Sequence, residues 1–415
     1  MRRPDQEPRV FPKPTFLRGP WVALLMSVLA IGVSALLVAQ ESVDSSTEEP
    51  EIESAETEVS TPAANPTGWR MAAPGKTYEF PADHLSHPDF KTEWWYFTGN
   101  LKTTEGRRLG YQITWFRQGI RPPSEAGTAE SSFVLDHLYF GHIAISDLKD
   151  ETFKFGQIIR RGAHGETGAA ELVSGEPVPK EFEGKLVWIE PWDLTLTAEG
   201  GLLIQAESEG IVLDLHLEPT RTPIFHGKDG FSQKAEGKGN GSHYYSFTRL
   251  KTTGSVAIGD TIYNDVTGSS WFDREWSTSV LGERQIGWDW FSLNLSDGSD
   301  LMLYQLREAD GSASSFSKGT LRKKDGTRIR IGEGDFELEP IETWTSEATG
   351  GEYPIKWALK IPEQDIDLTV SAAFSEQELV LFPVTYWEGA VRVEGTQTGE
   401  GYMELTGYTG EVPLQ

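Results

Sequence analysis

Cysteine is absent from the 415-residue chain, which excludes disulfides, thiol nucleophiles, thiolate metal sites and a lipid-modified cysteine anchor. Basic charge is scarce. Against 63 Asp and Glu there are only 37 Lys and Arg, for a formal net charge of −26. A nucleic-acid binder needs a basic face, and so does adhesion to anionic lipid headgroups, so neither class fits. Beyond the N-terminal region no long stretch repeats apolar residues with the helical period, and 43 glycines oppose long helices. Familiar catalytic signatures are missing too: there is no G-x-S-x-G elbow, no H-E-x-x-H helix, no phosphate-cradling glycine loop and no dinucleotide fingerprint. No cofactor is expected.

One apolar run does stand out. Trp21 to Ala39 carries no charge and has about the length of a membrane-spanning helix. Arg2, Arg3, Arg9, Lys13 and Arg18 precede it against only Asp5 and Glu7, and the residues after it are acidic. The positive-inside bias therefore predicts a cytoplasmic tail (1–19), a transmembrane or signal-anchor helix (20–39), and a body outside the cytoplasm. A cleaved signal peptide is the competing reading, although Leu37 and Ala39 make a mediocre cleavage site. Residues 40–72 are rich in Glu, Ser, Thr and Pro and read as a disordered acidic tether.

The remaining chain reads as β throughout. Short runs of aromatic and β-branched residues, such as Glu93 to Leu101, Leu109 to Arg117, Leu138 to Ser146, Tyr244 to Leu250 and Trp288 to Leu295, alternate with turn residues. Asp-Gly pairs at Asp297-Gly298, Asp310-Gly311 and Asp325-Gly326 suit hairpin turns. A faint repeat aligns WWYFTGNL from Trp94 with WDWFSLNL from Trp288, and a Tyr-Gln pair follows each (Tyr111-Gln112 and Tyr304-Gln305). The expected fold is all-β: two tandem antiparallel β-barrels, at 73–255 and 256–415, with closure protecting their edges.

Three segments could carry chemistry. In WFDREW, strand alternation puts Trp271, Asp273 and Glu275 on one face and Phe272, Arg274 and Trp276 on the other. An Asp buried beside aromatics resists ionising and can serve as a general acid, while ring faces can stabilise a developing cation. These are the parts needed to protonate an alkene and add water. The plainer reading pairs Asp273 and Glu275 with Arg274, Arg284 or backbone N–H groups. In GNGSHYYSFTRL, His243 and Tyr245 share a face, and His243 either handles water or bonds a neighbour structurally. Asp83, His84, His87, Asp89 and Glu93 lie close together but match no metal-ligand spacing, so that stretch reads as a loop and no metal is expected. Trp94, Trp95, Trp276, Trp288 and Trp290 are candidates to line an apolar ligand pocket inside a barrel.

The motifs HPDFKTEWWYFTGNL, HIAISD, FHGKDGFSQKAEGKGNGSHYYSFTRL, TGSSWFDREW, GWDWFSLNLSDGSDLMLYQLR, YWEGAVRVEG and GYMELTGY closely resemble those of the AttH-like proteins, which are grouped with carotenoid 1,2-hydratase (CrtC). The resemblance spans about residues 75 to 410. It implies two lipocalin-like barrels, and partners in the form of an apolar small molecule and an ABC-transporter permease. From the hydratase branch it implies catalysis by a His-x-Trp pair and a Tyr-x-Asp pair. Asp273 matches that aspartate and His243 the histidine, whereas Tyr245 and Trp271 replace the two aromatics. The resemblance is closer to the AttH branch. The resulting expectation is an extracytoplasmic, membrane-anchored protein that binds a lipid or isoprenoid. The alternative is a hydro-lyase adding water to an isoprenoid double bond.

Overall fold

Aromatic and β-branched residues at every second position, punctuated by turn residues, favour a pleated strand over a helix. The computed structural model describes residues 67–125, 134–162, 165–172 and 184–410, and nearly all of their regular structure is β. The first sheet holds β1 (Thr92–Lys102), β2 (Arg108–Gly119), β3 (His137–Asp147), β4 (Thr152–Arg161), β5 (Thr167–Ala169) and β6 (Gly184–Ile189). It continues with β7 (Trp192–Leu196), β8 (Leu202–Ser208), β9 (Ile211–Pro219), β10 (Ile224–Phe225), β11 (Phe231–Gln233), β12 (Gly241–Ile258) and β13 (Thr261–Ser277). The second sheet holds β14 (Gln285–Leu295), β15 (Asp300–Glu308), β16 (Lys318–Arg322), β17 (Arg328–Ile331) and β18 (Glu337–Thr345). Its remaining strands are β19 (Glu352–Ile361), β20 (Ile366–Ala372), β21 (Glu378–Val380), β22 (Thr385–Gly395) and β23 (Gly399–Thr406).

The 13-stranded sheet runs β4-β3-β2-β1-β13-β12-β9-β8-β7-β6-β5, with β10 and β11 added beside β12. Its edge strand β4 lies back over β6, β8 and β9, so the sheet nearly closes into a barrel. The 10-stranded sheet runs β17-β16-β15-β14-β23-β22-β20-β19-β18, with β21 beside β22. Its edges β17 and β18 stay unjoined, leaving a half-barrel. Gly298 and Gly326, in the tight turns after β14 and β16, take positive φ values of 91° and 92°, as the Asp-Gly pairs there require.

The repeat has a topological meaning. β1 pairs with β2 and β13, and β14 pairs with β15 and β23, so each repeated strand joins the second and last long strands of its own sheet. The expected boundary at 255/256 falls inside β12, whose hairpin with β13 completes the first sheet. The change of sheet instead lies between Ser277 and Gln285.

All described residues belong to one compact unit, Pro62–Gln415, and each sheet wraps its own apolar core. Trp95, Phe97, Trp115, Trp192 and Trp276 fill the first, and Phe291, Trp357, Trp387 and Met403 the second. A third cluster, with Tyr96, Tyr244, Trp271, Trp290, Tyr304 and Tyr386, lies where the sheets meet. There Asp300 of β15 accepts hydrogen bonds from Arg221, Thr248 and Arg249 of the first half. The expected tail, membrane helix and most of the linker lie outside the described residues. Among the described residues no helix is long and apolar enough to cross a membrane.

Candidate active site between the two sheets

The concave faces of both sheets are packed with apolar side chains, so an aromatic cavity is found between the sheets instead. A cavity of about 120 Å³ opens between the sheets, lined by residues of β1, β2, β12 and β13 on one side and β14, β15, β22 and β23 on the other. This corrects the expectation of a pocket inside a barrel: large side chains already fill that space.

Strand alternation decides which residues reach the cavity. Trp94 and Tyr96 of β1 line it, as do their repeat counterparts Trp288 and Trp290 of β14. The rings of Tyr96 and Trp290 meet edge to face at 5.2 Å, so equivalent positions of the two halves touch. Trp95 and Trp276 instead face the first core. Trp95 donates its indole N–H to the His84 carbonyl at 2.8 Å beneath the Arg274 guanidinium, and Trp276 stacks on His87 at 3.8 Å.

Asp273 is 3% exposed, and among the described residues it forms no ion pair. Its Oδ1 accepts from the Trp271 indole N–H at 2.5 Å and from the Ser246 hydroxyl, while Oδ2 accepts from the Tyr244 hydroxyl. Burial pushes its carboxyl up to about 7, although these three donors work in the opposite direction. His226 touches Ser246 Oγ through Nε2 at 2.6 Å and Thr320 Oγ1 through Nδ1 at 2.9 Å. With Ser246 donating to Asp273, Nε2 carries the hydrogen and Nδ1 accepts from Thr320. Burial, aided by Lys234 and Arg328, lowers the His226 pKa well below the usual value and keeps the ring neutral.

Glu275, on the same face as Asp273, is paired with Lys234 Nζ at 2.5 Å, and that ammonium also sits over the rings of Tyr244 and Tyr304. On the opposite wall stand Glu388 and Glu404. Burial first, then their mutual repulsion, raises Glu388 well above the usual carboxyl range. Burial pushes Glu404 up to about 7.

His243 and Tyr245 do share a face, but it is the one turned away from Asp273. Across β12–β13, Tyr244 and Ser246 stand opposite Glu275 and Asp273, whereas His243 and Tyr245 stand opposite Trp276 and Arg274. His243 packs edge-on against Phe90, and the Tyr245 hydroxyl bonds His84 Nδ1 at 2.8 Å. The structure thus gathers Asp273, Trp271, Trp94, Trp288 and Trp290, and places His243, Tyr245, Trp95 and Trp276 in the first core. Sequence reasoning missed Tyr96, Tyr244, Ser246, His226, Lys234, Glu388 and Glu404. The one available signal was a carboxyl beside aromatics in YWEG and YMEL, the pattern that had drawn notice in WFDREW. The segment Asp83 to Glu93 is spent on ion pairs, and among the described residues no group of three or more His, Cys, Asp or Glu could hold a metal.

The AttH-like family model matches residues 71–408. The solved structure of an AttH protein from Nitrosomonas europaea is 34% identical, covers 82% of this chain and 99% of its own, and superposes with a TM-score of 0.70. The chain belongs to the AttH-like family. The fold of this AttH-like protein is also shared with kievitone hydratase from Nectria haematococca, at 16% identity over 80% of this chain and 93% of that one, with a TM-score of 0.60. Among curated proteins it is similar to the dehydratase asqC of Emericella nidulans, 22% identical over 180 residues, or 42% of this chain. The match spans 50% of that relative's length.

Proposed function

We propose that this AttH-like protein is a hydro-lyase that adds water to, or removes it from, a carbon–carbon double bond of an apolar, isoprenoid-type molecule, with Asp273 as the proton donor. The observation that carries this reading is a buried carboxyl with no ion-pair partner among the described residues, poised near neutrality on an aromatic cavity. Such a group can be protonated when substrate binds and ionised after it gives up the proton. Asp273 would protonate one alkene carbon. The cation forming at the other would be bounded by the rings of Tyr96, Trp288 and Trp290. Tyr244, Ser246 and Trp271 would hold the resulting carboxylate with three donated hydrogen bonds. A hydratase and a dehydratase among the similar proteins support the same reaction class.

In this reading the near-closed barrel and the half-barrel are lipocalin-like halves that make one shared site, and His243, Tyr245, Trp95 and Trp276 support it from the first core. The N-terminal apolar run would hold the body outside the cytoplasm. A carrier that passes its ligand to an ABC-transporter permease would use the same cavity. The buried Asp273 and Glu388 carboxyls, which form no ion pair among the described residues, favour turnover over carriage, since storing an apolar ligand needs no acid.

The test is incubation with the isoprenoid alkene myrcene in D2O. The expected product is a tertiary alcohol bearing one carbon-bound deuterium, and Asp273→Asn should yield none while still retaining myrcene. A wild-type protein that retains myrcene and incorporates no deuterium would leave the carrier reading instead.

A further inference from the structure

Asp273 has a counterpart in the second half. Across β1–β13, Asp273 stands opposite Tyr96; across β14–β23, Glu404 stands opposite Trp290, the repeat equivalent of Tyr96. On the next strand Ser246 lies opposite Asp273, and Glu388 lies opposite Glu404. The local chemistry is matched too. Asp273 accepts an indole N–H from Trp271 and hydroxyls from Ser246 and Tyr244, and Glu404 accepts an indole N–H from Trp288 at 2.9 Å and the Thr406 hydroxyl at 3.0 Å.

Where Ser246 completes the first constellation, Glu388 supplies a second carboxyl. It is 1% exposed and lines the cavity. Its Oε1 accepts the Tyr96 hydroxyl at 2.7 Å, while Oε2 is buried with no partner among the described residues. A buried carboxyl oxygen without a partner is costly unless something in the cavity meets it. We propose that Glu388, with Glu404 beside it, is a second functional carboxyl pair that holds the oxygen of the ligand, either the hydroxyl of an apolar alcohol or the water that replaces it, on the wall opposite Asp273.

The inference rests on the hydro-lyase reading for its chemistry. In hydration, the Asp273 O–H bond breaks as the alkene π pair forms a C–H bond. Water held by Glu388 gives a lone pair to the cationic carbon, forming the C–O bond. Its surplus proton passes to the Glu404 carboxylate; before the next cycle Glu404 releases that proton to solvent and Asp273 takes one up from it. Dehydration runs these steps in reverse. A carboxyl kept neutral by its surroundings can donate a hydrogen bond, and burial together with Glu404 supplies those surroundings for Glu388. Because the carboxyls sit on opposing sheets, proton and oxygen reach opposite faces of a planar alkene. The ligand class follows: an uncharged apolar molecule with a hydroxyl, or with the double bond left after its loss.

The test compares linalool, a tertiary alcohol, with myrcene, the hydrocarbon formed when it loses water, by quenching of tryptophan fluorescence on the full chain. Wild type should bind linalool about tenfold more tightly, the worth of one good hydrogen bond. Glu388→Leu should erase that preference and leave myrcene affinity in place, which also reports a folded cavity. A ligand-free check is the protonated-carboxyl infrared band at neutral pH, which should weaken in Glu388→Gln. No preference in wild type, no binding of either probe, or a preference that survives Glu388→Leu would overturn the inference. If Asp273→Asn stops deuterium incorporation while Glu388→Leu keeps the alcohol preference, only this inference fails. If wild type shows the Glu388-dependent preference yet no turnover, only the hydro-lyase reading fails.

Discussion

Tyr96 stands directly opposite Asp273 across the β1–β13 ladder and donates its own hydroxyl to Glu388 of the second sheet at 2.7 Å. One side chain therefore touches both carboxyl-bearing walls of the cavity. Neither half alone would hold a complete site, because the first carries the Asp273 constellation and the second carries Glu388 and Glu404. The halves meet where β1 and β2 pack against β23 and β22 and where β12 packs against β14, with the Tyr96 and Trp290 rings in contact between them.

Asp273 should make stability depend on pH in a definite direction. Its carboxyl titrates near 7 in the folded chain and at about 3.9 when unfolded. The folded state binds that proton more tightly, so the contribution is complete below about pH 4 and is lost as pH rises toward 7. Asp273→Asn removes the titration. Between about pH 5 and about pH 8 the wild type should lose roughly 3 kcal/mol relative to this variant. Denaturant melts across that range check it, and a constant difference would mean that Asp273 is already ionised at low pH.

The two faces of β1 predict opposite phenotypes for adjacent tryptophans. Trp288→Ala and Trp94→Ala should weaken apolar-ligand binding about tenfold or more at modest cost in stability. Trp95→Ala should instead cost about 3–5 kcal/mol by opening a cavity in the first core, without a specific loss of affinity in the protein that remains folded. Paired unfolding and fluorescence titrations separate them. Equal effects on both readouts would contradict the alternation.

The strands and turns were legible because apolar spacing and Asp-Gly pairs report local geometry, and the sharing of faces within WFDREW followed from the period of two. Which face meets the cavity was not legible. Outer faces of barrels usually meet water and read as polar, but here the outer face of β1 is covered by the second sheet. Both faces of β1 are therefore largely buried, and no polar alternation distinguishes Trp94 from Trp95 or Tyr244 from Tyr245. Glu388 and Glu404 join Asp273 only through packing between the halves, which no local pattern encodes.

Glu93 shows what a carboxyl in the other environment does. It lies wholly buried between Arg117 and Arg274, with the Ser86 hydroxyl donating at 2.5 Å. Burial alone would raise its pKa, yet the two guanidiniums hold it well below the usual range. Glu93→Ala would leave two buried cations uncompensated and should cost about 3–5 kcal/mol. Chemical denaturation at neutral pH measures this. A loss under about 1 kcal/mol would show that water replaces the carboxylate at no great cost.

Tyr244 and Tyr245 give the sharpest test of which residues belong to the site. Tyr244 donates to Asp273 Oδ2 and accepts the Trp290 indole N–H at 3.2 Å, whereas Tyr245 bonds His84 in the first core. Tyr244→Phe removes a hydrogen bond that favours the ionised Asp273. Its pKa should therefore rise further, moving the alkaline fall of the rate upward by about one pH unit. The acid also becomes weaker, so turnover should drop about tenfold below that limb. Tyr245→Phe should leave the limb in place and cost about 1–2 kcal/mol of stability through the unpaired His84 nitrogen. Rate–pH profiles of the two variants decide it: a limb that moves with Tyr245 and not with Tyr244 would return the catalytic role to the His243 face.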